Sequence, residues 1–445
     1  MAYTGPGVSV TEVNTTPATV SGAPRRVAIV GKGSATYNVY NVEVVKGVSG
    51  GTDTITGTIV SDVNSVIGCG SLPGLYDYRL TTDYTVVDNT ISWAGATTQP
   101  TTGDTYYVTY RQNKGTSYYE PMLFTDQSSV EAVYGNKLAD GVVSEVSLGS
   151  FLAFTNGASE VLCLQQSGDT TQDMEDAIDK LETEEVDVIC APGMCSSTLQ
   201  NYIFANCKKM SSETEKKERI FITSPVLTTS TVDQIVSTAV SFRNDMVTVI
   251  APATVDIVLT DAICNTDVTT TVPSAFAGCA LAGIISSPSN DEAEPLTRKQ
   301  LLGIDSLSGT KYKESEMNKL GRNGVLVLEN INGIIRVRHA VTTSIANVNE
   351  QELQVKIIRN QTRKDLRELF EPYIGTKYVT SSTNALLASA LDGFCKDKIQ
   401  NKVYVEYKDI KVSQSTTDAR VALISYSFKP VYTLTWETIS YSLYF

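Results

Sequence analysis

The rhythm of apolar and polar positions changes several times along this chain. At the start, "GPGVSVTEVN" alternates: Val8 and Val10 fall on one side of an extended backbone, Ser9 and Thr11 on the other. That period of two predicts a half-buried strand. "RRVAIVGKGS" (25–34) reads as a buried strand running into a glycine turn. From Tyr37 to about Tyr119, short alternating runs such as "DTITGTIV", "DYTVVDNTISWAG" and "DTYYVTYRQN" are separated by turn residues, with no sustained helical period. Such a stretch predicts a small β-sandwich or barrel, inserted and separately folded. From about Glu120, strands such as "ASEVLCLQQ", "VDVICAPG", "RIFITSP" and "MVTVIAPA" alternate with helix patterns. In the acidic "TTQDMEDAIDKLETEE", for example, Met174, Ile178 and Leu181 recur at helical spacing. Repeated strand–helix–strand units predict a sheet covered by helices, with parallel neighbours.

A third zone begins near Gly321. "NGVLVLENINGIIRVRHAVTT" predicts a hairpin turned at Asn332-Gly333. Two helix patterns follow, "EQELQVKIIRNQTRKDLRELFEPYIG" and "STNALLASALDGFCKDKI", then the alternating strands "VYVEYKDIKV" and "DARVALISYSFKP". In the tail, Tyr432, Leu434 and Trp436 share one parity, and Ile439, Tyr441, Leu443 and Phe445 share the other. That phase switch predicts a bulge or a hand-over between sheets. The expected organisation is an α/β and α+β multidomain chain: an N-terminal arm (1–23), an α/β core (24–36 with 119–320), an inserted β domain (37–118), a C-terminal α+β domain (321–430) and a C-terminal arm (431–445).

Composition narrows the function. The 445 residues suffice for two or three domains, hydrophobic residues make up 42%, and no apolar run approaches the length of a bilayer span. The start lacks the basic-then-apolar stretch of a secretory signal, so a cytoplasmic product is expected. A net charge of -13 argues against a general binder of nucleic acid or anionic membrane, both of which need a basic footprint. Eight cysteines form no C-x-x-C pair and His339 is the single histidine, so neither a zinc site nor another metal or cofactor is expected, and buried reduced thiols are.

Catalytic machinery is hard to find. "GKGS" (31–34) lacks the spacing of a phosphate loop, and the glycine fingerprint of a dinucleotide site is missing. His339 has no nucleophile motif to serve. A nucleotide-dependent α/β enzyme with an appended β domain therefore stands as the weaker reading, beside a non-contractile tube or surface subunit. Charge is more telling. Residues 169–187 carry nine acids against Lys180, whereas Pro295–Phe370 carries thirteen Lys or Arg against eight Asp or Glu. A solvated face explains such runs, and for a self-packing protein complementary patches compete with that explanation, making Glu182, Glu184 and Glu185 a candidate inter-subunit face. Along Gln351–Phe370, Val355, Ile358, Leu366 and Leu369 make an apolar side, with Arg359, Arg363, Lys364 and Arg367 projecting elsewhere.

The order of motifs resembles the contractile tail sheath proteins of bacteriophages and related injection machines. "PGVSVTEV" is similar to the family's opening, with Ser9 where an aromatic is common, and "RRVAIVGKGS" to its first core strand. "YYEPMLFTDQSSVEAVYG", "VPSAFAGCALAG" and "NGVLVLENINGIIRVRHAVTT" follow in the family's order, although His339-Ala340 stands where Arg-Thr is frequent. The resemblance implies a structural subunit of the virion tail, assembled in the bacterial cytoplasm. It would form hexameric rings stacked around a tail tube protein, between baseplate and tail terminator proteins. It also implies that both terminal arms add strands to neighbouring subunits, through Val8, Val10 and Val13 at one end and Trp436, Ile439, Tyr441, Leu443 and Phe445 at the other. The residues alone leave open that both ends pair within their own chain. The helix bearing Arg359, Arg363, Lys364 and Arg367 is the candidate tube-facing helix.

Overall fold

A computed structural model describes residues 25–33, 36–55, 66–87, 89–113, 119–139, 141–226, 231–261, 266–308 and 311–434. The chain divides at Lys356–Ile357 into two compact units.

The first unit starts with β1 (Val27–Gly31), buried along its whole length. The insert supplies β2 (Thr36–Val45), β3 (Thr52–Thr54), β4 (Val66–Gly70), β5 (Thr85–Val87), β6 (Thr90–Ser92) and β7 (Thr105–Asn113). These make two antiparallel three-stranded sheets, β2-β7-β4 and β3-β6-β5. Their shared core centres on Trp93, which is fully buried and edge-on to Tyr78 and Tyr106. Beside it the buried Lys46 and Asp53 pair at 3.5 Å, and the Asp53 carboxylate also accepts from Trp93 Nε1 and the Tyr106 hydroxyl.

The chain returns through β8 (Met122–Phe124), α1 (Gln127–Tyr134), the short β9 (Leu138–Ala139) and β10 (Val142–Val143), and α2 (Glu145–Thr155). Then come β11 (Val161–Gln165), α3 (Thr171–Lys180), β12 (Val188–Cys190), α4 (Ser197–Met210), β13 (Ile220–Thr223), α5 (Val232–Phe242) and β14 (Val247–Ala251). A hairpin of β15 (Thr254–Thr260) and β16 (Asp267–Pro273) leads into α6 (Ala275–Ser286), and α7 (Glu314–Arg322) into β17 (Val325–Ile331) and β18 (Ile334–Val337). One eight-stranded sheet runs β18-β17-β14-β13-β12-β1-β11-β8, parallel except for its two edge strands.

Both faces of the sheet are covered, as parallel strands require. On one, Ala28, Val30, Leu162 and Ile189 pack under Ile178 of α3, Ile203 and Phe204 of α4, Ile235 of α5 and Leu320 of α7. On the other lie α2 and α6; a Cβ on Gly283 of α6 would stand 2.2 Å from the Ala153 carbonyl oxygen of α2, so the two helices touch backbone to backbone. Every residue of α6 is buried.

The hairpin that the sequence reading placed in the C-terminal domain belongs to this sheet. β17 pairs in parallel with β14 through Val249↔Val325 and Ala251↔Val327, which moves the expected boundary from 321 to about 357. Five consecutive buried residues in β17 account for this, since they need a neighbour on each face.

The second unit holds most of α9 (Leu353–Phe370), α10 (Ser381–Gln400), β19 (Tyr404–Gln414) and β20 (Ala422–Pro430); the short α8 (Val348–Gln351) precedes it. β19 and β20 form a two-stranded antiparallel sheet. Along β20, Ala422, Ile424, Tyr426 and Phe428 are half-buried, and Leu423, Ser425, Ser427 and Lys429 are exposed.

Candidate functional site

A sheet of this topology usually binds ligands at the carboxyl ends of its strands, where the strand order switches direction. Here that place lies between β1 and β12, and the chain fills it with its own side chain. The Glu145 carboxylate, at the first residue of α2, accepts the Lys32 backbone amide at 2.8 Å. It packs on Gly31 and Gly193 so closely that a Cβ at either would lie 2.7 or 2.1 Å from a carboxylate oxygen. Burial raises the Glu145 carboxyl above its ordinary value, with the Lys32 amide and ammonium pulling the other way. The "GKGS" turn is thus a socket for an internal carboxylate. His339 bonds Glu352 at 2.8 Å. The seven described cysteines are buried and unbridged; burial pushes the Cys207 and Cys395 thiols up to about 12, where they stay protonated.

The surfaces suited to partners lie elsewhere. In the second unit, β19 and β20 bond only to each other among the described residues, leaving two open edges. A two-stranded hairpin is marginal alone, and open edges accept further strands. Bulges between Tyr404 and Glu406 and between Lys408 and Lys411 interrupt β19. The predicted arm residues Val8, Val10, Val13, Trp436, Ile439, Tyr441, Leu443 and Phe445 lie outside the described residues. The start of the expected C-terminal arm is partly tied down, with Val431 N–H donating to the Val403 carbonyl at 3.1 Å and Thr433 bonding Gln354. Leu434, the last described residue, is 81% exposed.

On α9, Val355 and Ile358 are buried as expected, and Leu366 and Leu369 are half-buried. Arg363 is exposed, whereas Arg359, Lys364 and Arg367 are half-buried. The apolar spacing does not betray that the interior side is also polar. Asp365 and Lys398 of α10 pair at 2.6 Å with side chains 3% and 11% exposed, and Gln361 donates to the same carboxylate at 2.8 Å.

The acidic face needs correction. The helix stops at Lys180, because the buried Leu181 turns the chain into a 3-10 turn, so Glu184 and Glu185 lie on the connection to β12. Glu182 already pairs with Lys209 at 2.6 Å, a bond that raises the lysine's pKa. The half-buried Glu184 lends its carbonyl to the buried Arg219, and Lys217 reaches the carbonyls of Glu182 and Thr183. Of the three glutamates only Glu185 is exposed; Asp169, Asp176 and Asp179 are the other exposed acids of this stretch.

Residues 167–343 match the phage tail sheath protein central domain family. That stretch of the chain is similar to a tail sheath central domain. Residues 10–138 also match a domain family of unknown function, DUF4815. The tail sheath protein of Mycobacterium phage Bxz1 is 25% identical over 350 residues, 77% of this chain and 59% of that protein; the chain thus spans little more than half of that relative. Among solved structures, the anti-feeding prophage helical sheath in its contracted state is similar with a TM-score of 0.61, 11% identity and 99% of each chain covered. The sheath complex of an extracellular contractile injection system, also contracted, gives 0.56 at 12% identity over 73% of this chain and 86% of the other. A sheath tail protein from Listeria innocua gives 0.51 at 11% identity, covering 93% of each. The expected sheath resemblance and mixed α/β fold are thereby met, and the relatives found are structural sheath proteins.

Proposed function

We propose that this chain polymerises as hexameric rings stacked around a tail tube, bounded by a baseplate and a terminator, and contracts to drive the tube through a cell envelope. The observation that carries the reading is the match of residues 167–343 to the sheath central domain, in a chain similar in fold to a contracted sheath subunit. The stored energy would be a difference between two packings of near-rigid subunits.

The open edges of β19 and β20 support strand addition as the joint between copies. In this reading Val8, Val10, Val13, Trp436, Ile439, Tyr441, Leu443 and Phe445 belong to arms that bond to neighbours. Each backbone hydrogen bond contributes about 1 kcal/mol net and each fully covered large side chain about 1.5–3 kcal/mol. The outward Arg363 supports reading α9 as the tube-facing helix, with Arg359, Lys364 and Arg367 on the same helix. Negative-stain microscopy of the purified, concentrated protein tests the proposal. Tubes of one fixed diameter support it; a monodisperse monomer at every concentration and salt contradicts it.

A further inference from the structure

The charge of the first unit is polarised along its sheet. At the β18 end, three guanidiniums converge on one buried carboxylate. Glu329 of β17 accepts from Arg336 directly across the hairpin at 2.7 Å, from Arg338 at 3.4 Å and from Arg298 at 3.5 Å. Arg338 also joins Glu314 and Asn318 of α7, so the cluster and the start of that helix form one surface. Residues 298–338 carry eight Lys or Arg against four Asp or Glu, a net of +4. Residues 169–187 carry nine acids against one base, a net of -8. They span α3 and the connection into β12, and α3 packs over β1. Five strand spacings separate β1 from β18 in the sheet order, roughly 24 Å at about 4.8 Å each.

We propose that the Arg298 end of the β18 edge docks on the Asp176–Glu185 face of a second copy of this chain. Opposite charges five strands apart on one sheet cannot meet within a subunit, but they meet between copies related head to tail. A head-to-tail contact is heterologous, and repeated it closes a ring or extends a helix. Arg298 is the cation best placed for this. Its side chain is 63% exposed, its contact to Glu329 is the longest of the three, and its N–H is bonded to the Val337 carbonyl at 2.8 Å. Its backbone stands at φ 68°, where a non-glycine residue is strained. The inference rests on the self-assembly reading above and adds to it the pairing of surfaces.

The strain supplies a clean test, because Arg298→Gly removes the cation and relieves the backbone together. Self-association is followed by sedimentation at about 50 mM and about 1 M salt, the latter shrinking the screening length to about 3 Å. At low salt Arg298→Gly and Glu185→Lys should each raise the concentration needed for association about tenfold, with unchanged circular dichroism. At high salt the difference from wild type should vanish. Combining Arg298→Glu with Glu185→Lys in one chain should restore association that either reversal weakens. Single variants that associate like wild type at both salts, or a combined variant that stays impaired while folded, overturn the proposal. Salt-insensitive tubes from every variant overturn this contact and leave the sheath reading standing. Salt-sensitive, swap-rescued oligomers that are not tubes keep the contact and overturn the sheath reading. No association by wild type under any condition overturns both.

Discussion

Replacing Asp365 by Ala should strongly destabilise the second unit while sparing the first. Asp365 and Lys398 hold α9 against α10 at 2.6 Å, almost fully out of water. Losing one partner leaves a buried ammonium without its carboxylate, which costs about 3–5 kcal/mol. The unit spans residues 357–432, and at about 0.05–0.15 kcal/mol per residue its total stability is roughly 4–11 kcal/mol. The substitution therefore removes a large share of what holds it together. Hydrogen exchange read by mass spectrometry resolves the two units. Amides in α10 and β19 should exchange about a hundredfold or more faster, since each 1.4 kcal/mol is worth about a factor of ten. Those of β1 and β11 should stay protected. Asp365→Leu with Lys398→Met, which removes both charges and keeps the volume, should recover most of the protection. Unchanged exchange in Asp365→Ala, or a double variant worse than the single one, would show that the pair does not secure this unit.

Three further outcomes follow from the first unit. Glu145 titrates above 4.5 in the folded chain, so the ionised form is the disfavoured one, and its stabilising neutral form is lost as pH rises from about 4.5 through the raised value. Glu145→Gln keeps an acceptor for Lys32 without that loss, so its stability relative to wild type should increase across this window; a pH-independent difference in urea midpoint would contradict the socket. Gly283→Val would force α2 and α6 apart and should cost about 1–3 kcal/mol, read as a lower urea midpoint. Because Thr36 and Asn113 pair where the insert leaves and rejoins the core, replacing 37–118 with a short Gly-Ser linker should leave a soluble α/β core; an insoluble product would mean that the two folds share a core.

The parts of this fold that the sequence betrays are those with one wet and one dry side. The alternating strands of the insert, the amphipathic α3 and α5, and the Asn332-Gly333 hairpin all announce themselves by period or turn chemistry. The helices α2 and α6 do not. α6 is buried on every side, so "AFAGCALAGIIS" has no polar stripe from which a helical period could be read. The boundary at 357 was equally hidden, because it falls inside α9 rather than in a linker. The acidic stretch misled for a related reason. Its charge count is plain, but Lys209 from a later helix and Lys217 and Arg219 from the loop before β13 tie its second half down, a tertiary fact that no local spacing carries. The glycines of "GKGS" signalled a turn, yet what they accommodate are side chains more than a hundred residues further on, Glu145 at Gly31 and Gln165 at Gly33.

Helical reconstruction by electron cryomicroscopy of tubes assembled from this chain tests the central claim most directly. The account predicts six subunits per ring, with residues from the two ends of neighbouring chains paired as extra strands along both open edges of the β19–β20 hairpin. Edges left bare, or filled by the subunit's own ends, would contradict it.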